Sequence, residues 1–149
     1  DFVAQVHALY NKYQLPLGSL CLEITESGLI ANLDLATQII EGLAPLKVKL
    51  CLDDFGTGYS ALGYLHQLPI HILKIDKSFI DHLNKTNNPL VEAILSLAQS
   101  LNFEVVAEGI ETQEQLNILQ ATQCNYGQGF LKSKPVTAQH AIKLIHKPL

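Results

Sequence analysis

Five stretches of this sequence each close an apolar run with a carboxylate, an ammonium or an amide. They are Glu23 and Glu26 in "LCLEITE", Asp53 and Asp54 in "KLCLDDFG", Lys74 and Asp76 in "HILKID", Glu108 and Glu111 in "FEVVAEGIE", and Gln128 in "NYGQG". One acid at a strand's end usually caps a helix or faces solvent; such groups at five strand ends in succession call for a common cause. Carboxylates gathered on one rim repel one another unless cations lie between them, and an oxygen-rich donor set suits hard divalent ions such as Mg2+ or Mn2+. The adjacent acids Asp53 and Asp54 are expected to diverge on leaving their strand, so that one bridges two ions and the other reaches only the second. Gly56 and Gly58 then let the backbone turn tightly. Two ions about 4 Å apart activate a water and stabilise the leaving oxygen in displacement at phosphorus, and Lys74 would add positive charge near the attacking water or the phosphate. A lysine inside an apolar run also needs a neighbouring carboxylate simply to be buried. Glu111 equally suits the first turn of a helix.

The elements that must position these groups alternate. Phe2, Val3, Val6, Leu9, Tyr10 and Tyr13 have the spacing of an amphipathic helix over 2–14, closed by Pro16 and Gly18. A strand follows at 19–25, a helix at 32–46 with Asn32 as N-cap, a strand at 48–54, a short helix around 60–67 and a strand at 71–76. After the polar loop "NKTNN", Asn88 and Pro89 open a helix; a strand at 103–109 precedes a capping box from Thr112 to Gln115 and a helix to about Ala121. The last strand and its turn fall at 124–133, and Thr137 caps a final helix that ends before Pro148.

Continuously apolar strands suit a parallel sheet buried on both faces. An open doubly wound sheet binds its ligand at a switch point in strand order, whereas a barrel builds its site at the carboxyl ends of all its strands. Polar groups at every strand end favour a (β/α)8 TIM-type barrel. Such a barrel needs eight strands and typically ~250 residues, so these 149 residues supply about the last five β/α units. The chain opens at Asp1 in mid-pattern and reads as a fragment. Its first and last strands would present unpaired edges, and the isolated chain is expected to self-associate.

At 48% hydrophobic and 16% charged the chain reads as one ordered α/β unit, and a net charge of −4 argues against DNA or RNA as partner. Cys21, Cys51 and Cys124 form no CxxC pair and are expected to be small buried hydrophobes. No apolar run approaches the ~20 residues of a membrane span and no signal peptide is visible, so the cytoplasm is the expected location. "DFG" also occurs in protein kinases, but no glycine-rich loop or HRD segment accompanies it here.

In "LEITES", "LDDFGTGYSAL", "LKIDKSFI", "VVAEGIET" and "YGQGFLKSKP", in that order, the sequence resembles the EAL family of cyclic di-GMP phosphodiesterases over nearly its whole length. The family's Glu-Ala-Leu signature and a downstream asparagine would lie before Asp1, leaving the isolated chain without two metal ligands and inactive. The resemblance implies that Glu23 binds the first metal, that Asp53 bridges both, and that Asp54 and Glu108 serve the second metal and its water. Lys74 would orient or polarise that water, and Glu26 would anchor the loop after Asp54. Gln128, with Asp76 and Glu111 from the same rim, makes up the candidate substrate-binding set. The implied reaction is hydrolysis of cyclic di-GMP to linear pGpG with Mg2+ or Mn2+, in a homodimer formed through the loop and helix after Asp54. A GGDEF or sensory domain could accompany the barrel. The alternative is an inactive EAL module that serves as a cyclic di-GMP receptor or protein-interaction domain. One departure is "FLKSKP", where Lys132 and Lys134 stand where members commonly carry an aromatic and Ser-Arg.

Overall fold

The structure, a computed structural model, describes residues 1–56, 62–65, 68–83 and 88–145. Five strands, β1 (Cys21–Thr25), β2 (Lys49–Phe55), β3 (Ile72–Ile75), β4 (Glu104–Ala107) and β5 (Tyr126–Gly127), form one sheet in the order of the sequence. Every pairing is parallel. An order that never reverses leaves no switch point, so the doubly wound alternative is set aside and the sheet is the winding of a (β/α) barrel.

The helices are α1 (Phe2–Tyr13), α2 (Glu26–Ala31), α3 (Leu33–Leu43), α4 (Leu62–Leu65), α5 (Lys77–Ile80), α6 (Pro89–Ser100), α7 (Gln113–Ala121) and α8 (Ala138–Ile145). Two of the local capping signals act as the sequence suggests, while Asn88 holds the N-cap position of α6 without a side-chain capping bond. The Asn32 side chain accepts the Leu35 N–H at 3.0 Å, and Thr112 and Gln115 form the full capping box. Two short helices escape the periodicity argument, α2 and α5, because four to six residues carry too few turns to show it. The last strand shrinks to two residues. Residues 57–61, which include Gly58, residues 66 and 67, most of the "NKTNN" loop and the chain after residue 145 lie outside the described residues.

Strand alternation sorts the side chains. Leu52, Leu73, Ile75, Val105 and Ala107 join Leu29, Ile80, Ile94, Ala98 and Leu119 of the helices in the main core. A smaller cluster of Val6, Tyr10, Leu43 and Leu46 packs α1 against α3. The other face of the strands carries Glu23, Cys51, Asp53, Ile72, Lys74 and Val106. Cys51 is buried, as expected, and its thiol is pushed up to about 12, chiefly by burial. Cys21 is exposed and Cys124 half-buried, which corrects the expectation for both: Cys21 opens β1, the edge strand of the described sheet.

Candidate functional site

The strand ends converge on Lys74. Its Nζ lies 3.0 Å from Glu23 Oε2, 3.0 Å from Asp53 Oδ1 and 2.8 Å from Glu108 Oε1, joining the ends of β1, β2 and β4 to the middle strand that carries it. The Lys74 side chain is only 7% exposed. Burial by itself would pull its pKa down; the hydrogen bonds it donates to Glu108, Asp53 and Glu23 outweigh this and hold the ammonium above the ordinary lysine range. The apolar flanks of "ILKI" bury the backbone while the three carboxylates satisfy the charge, as a buried lysine requires.

Asp53 and Asp54 do not diverge as simple strand alternation would have them. Register shifts between Leu52 and Phe55, and Asp54 adopts a left-handed φ of 55°, so a bulge interrupts the β2–β3 ladder at the acids themselves. The Asp54 N–H donates to Asp53 Oδ1 at 3.0 Å. One oxygen from each of Asp53, Asp54 and Glu108 then falls within 4.8 Å of the others, all three residues half-buried. Three anionic oxygens that close are a donor set for a hard divalent cation, and the half-exposed rim leaves positions for water ligands.

The flanking turns are built to keep this arrangement. Glu26, 2% exposed, sits in the first turn of α2 and accepts the Gly56 N–H at 3.2 Å. Gly56 itself has φ 92°, a conformation glycine reaches without steric cost. After Glu108, whose N–H donates to the Ile75 carbonyl at 3.1 Å, the chain turns at Gly109 with φ 71°, where an added Cβ would lie 2.3 Å from the Lys77 side chain.

The remaining rim candidates stand apart from the cluster. Asp76 caps α5, accepting the Ser78 N–H at 2.9 Å, and its hydrogen bonds to Ser78 hold its carboxyl below the usual range. Glu111 pairs with Lys77 on the exposed side of the same turn. Gln128 is exposed; its backbone N–H donates to the Ala107 carbonyl at 2.8 Å, which fixes the end of β5 beside β4. Two features were not read from the sequence. The left-handed Asp54 has no signal beyond Asp's tolerance of that region. At the opposite end of the strands, Lys49 pairs with Glu104 at 3.1 Å and Tyr126 donates to Glu104 at 2.9 Å, with no spacing pattern to announce it.

Comparison with known proteins bears on the family and the fold. The EAL domain family pattern matches residues 1–135. The chain is 44% identical over 117 residues to the cyclic di-GMP phosphodiesterase NbdA of Pseudomonas aeruginosa, covering 77% of this chain and 15% of that protein. It is 39% identical over 138 residues to the signaling protein YkoW of Bacillus subtilis, covering 91% of this chain and 17% of that protein. Among solved structures, the EAL domain of Mycobacterium smegmatis DcpA superposes with a TM-score of 0.88 at 39% identity, over 96% of this chain and 65% of that one. The PaMucR phosphodiesterase in complex with c-di-GMP superposes with a TM-score of 0.85 at 40% identity, over 93% of this chain and 57% of that one. The chain thus spans less than a fifth of those two curated relatives and under two thirds of either solved domain. With its sequential parallel sheet, the acids at its strand ends and a family match over residues 1–135, this chain belongs to the EAL domain family.

Proposed function

We propose that this chain is the carboxyl-terminal part of an EAL barrel whose complete form hydrolyses cyclic di-GMP to linear pGpG with Mg2+ or Mn2+. The observation that carries the reading is the meeting of Asp53, Asp54 and Glu108 oxygens within 4.8 Å, beside a buried Lys74 that also reaches Glu23. That donor set fits hard divalent ions: Glu23 and Asp53 for one, Asp53, Asp54 and Glu108 for another. Such ions, when bound, would lower the pKa of a water and neutralise charge on the phosphodiester.

The chain's own residues then have separate tasks. Asp53 ties the two halves of the site, since its Oδ1 meets both Lys74 Nζ and the Asp54 N–H. Lys74, held cationic, presents N–H donors where an attacking water or a phosphoryl oxygen would sit. Glu26 keeps the turn after Asp54 in place through Gly56. Gln128, Asp76 and Glu111 border the rim where the nucleotide would lie, Asp76 and Glu111 through the turns they cap and pair. Pairing of two barrels through the segment after Asp54, and a cytoplasmic location, belong to the same proposal; no helix among the described residues is long and apolar enough to cross a membrane.

The test is hydrolysis of cyclic di-GMP by a protein that contains this chain within a complete barrel, followed by its Asp53→Asn variant. Formation of pGpG that depends on Mg2+ or Mn2+ and disappears in the variant is the expected result. Tight nucleotide binding without product would replace the enzyme with a receptor module.

A further inference from the structure

We infer that Phe79 is a positioning residue for the Asp53–Asp54 pair, acting through the backbone of Gly56. The inference rests on the metal-centred reading above and adds to it a residue that carries no polar group and lies on a different element. A Cβ placed on Gly56 would stand 2.9 Å from Phe79 Cζ and 3.0 Å from its Cε2, so the edge of the ring rests directly against the Gly56 backbone. Gly56 is two residues beyond Asp54 and donates its N–H to Glu26. The turn is therefore held twice, by a carboxylate from α2 and by an aromatic ring from α5.

The ring can serve as a stop because α5 is itself fixed. Asp76 caps the helix, and the Phe79 N–H donates to the Asp76 carbonyl at 3.1 Å. The next residue, Ile80, is fully buried, and its carbonyl accepts from Gln115 Nε2 at 3.2 Å. Phe79 also packs against the main core. The same strand that delivers Lys74 thus leads, five residues later, to the ring that backs the Asp54 turn.

The reason such a stop matters is the left-handed Asp54. A non-glycine residue at φ 55° persists only where its surroundings over-determine it. If Gly56 could drift, Asp54 would relax toward extended backbone. Its carboxylate would then turn to the other face of the strand, away from Asp53 and Glu108. A glycine is required at 56 for the same reason: its bare backbone lets the ring approach closely enough to pin it.

The experiment measures Mn2+ binding by electron paramagnetic resonance of the free ion, and the Gly56 Hα chemical shift by NMR, on a protein that contains this chain within a complete barrel. Phe79→Ala should weaken Mn2+ binding about tenfold, the scale for residues that orient ligands, and should abolish the ring-current shift of Gly56 Hα. Phe79→Leu, which keeps more volume, should fold and show a smaller loss in the same direction; it also serves if Phe79→Ala does not fold. Leu119→Ala, a core truncation on α7, should lower the melting temperature and leave Mn2+ binding unchanged. Wild-type affinity in both Phe79 variants, or an equal loss in Leu119→Ala, would overturn the inference. Absence of Mn2+ binding in the wild-type complete barrel would instead overturn the metal-centred reading, and this inference with it.

Discussion

The two ends of the same strands carry the same kind of lysine–glutamate contact in opposite circumstances. At the amino end, Lys49 and Glu104 are 47% and 38% exposed and pair with each other, and Glu104 also accepts from the Tyr126 hydroxyl. At the carboxyl end, Lys74 is 7% exposed and faces Glu23, Asp53 and Glu108, with Asp54 joining the last two. The first cluster is electrically balanced. Among the described residues the second holds four carboxylates to one ammonium, a formal excess of three negative charges, with Asp53, Asp54 and Glu108 half-buried and Glu23 exposed. An exposed pair gains little from its attraction because water screens it; a half-buried cluster with excess negative charge is stabilised by any further cation that joins it. Charge excess together with burial, more than the presence of acids, separates a candidate metal site from a surface ion pair.

The change expected to break this contrast most completely is Asp53→Asn. It removes the one carboxylate that contacts both Lys74 and the Asp54 amide, and Mn2+ affinity should fall by more than about 100-fold, beyond the usual effect of an outer residue. An isothermal titration with Mn2+ checks it, and a wild-type isotherm would remove Asp53 from the site.

Lys74→Met should come next. Without metal, removing the ammonium leaves three carboxylates without their shared partner, and destabilisation of about 3 kcal/mol is expected, the scale for breaking a buried ion pair. The pH dependence has a definite sign. The folded-state pKa of Lys74 is raised, so its contribution is complete below the unfolded lysine value of about 10.4 and is lost as pH rises through the higher folded value. Melting temperatures of the wild type and variant, measured without metal, should differ widely at pH 7 and draw together in strongly alkaline solution. A constant gap across that range would contradict the raised value.

Glu26→Ala should weaken Mn2+ binding by roughly 10 to 100-fold while the fold survives, since Glu26 reaches the site through the Gly56 amide. Unchanged affinity would return Glu26 to the role of a turn acid. The smallest effects belong to the amino end. Lys49→Met should leave Mn2+ binding unaltered. Glu104→Gln should lower the titration midpoint of the Tyr126 phenol, which the Glu104 carboxylate now holds above its ordinary value. Absorbance of tyrosinate against pH, wild type minus variant, reads that shift.

Most of the architecture was legible because it depends on patterns one or two turns long. Alternating apolar strands and helices, the Asn32 cap and the Thr112–Gln115 box are decided by residues close in sequence, and each appears in the structure. The acids at the strand ends were legible for a related reason: a parallel barrel places all its carboxyl ends on one side, so strand position alone assigns Glu23, Asp53, Lys74 and Glu108 to one rim. The short helices α2 and α5 were not legible, and the last strand, expected within 124–133, was legible in place but not in length. The two-residue β5 and the four-residue α5 owe their form to what they pack against, and periodicity has nothing to register in them.

The sequence by itself determined which residue types reach the rim and that their charges cannot balance there. Only the tertiary structure decided how they meet. The bulge that turns Asp54 toward Glu108 arises from the mismatch of β2 against β3, a relation between residues about twenty apart. The division between Glu108, which joins Lys74, and Glu111, which pairs with Lys77, depends on the turn at Gly109. The contact of Phe79 with Gly56 exists only once α5 is docked. Composition and spacing fix charge and face because those follow from the local backbone period. Distances among side chains from different strands depend on packing, which no local stretch of sequence contains.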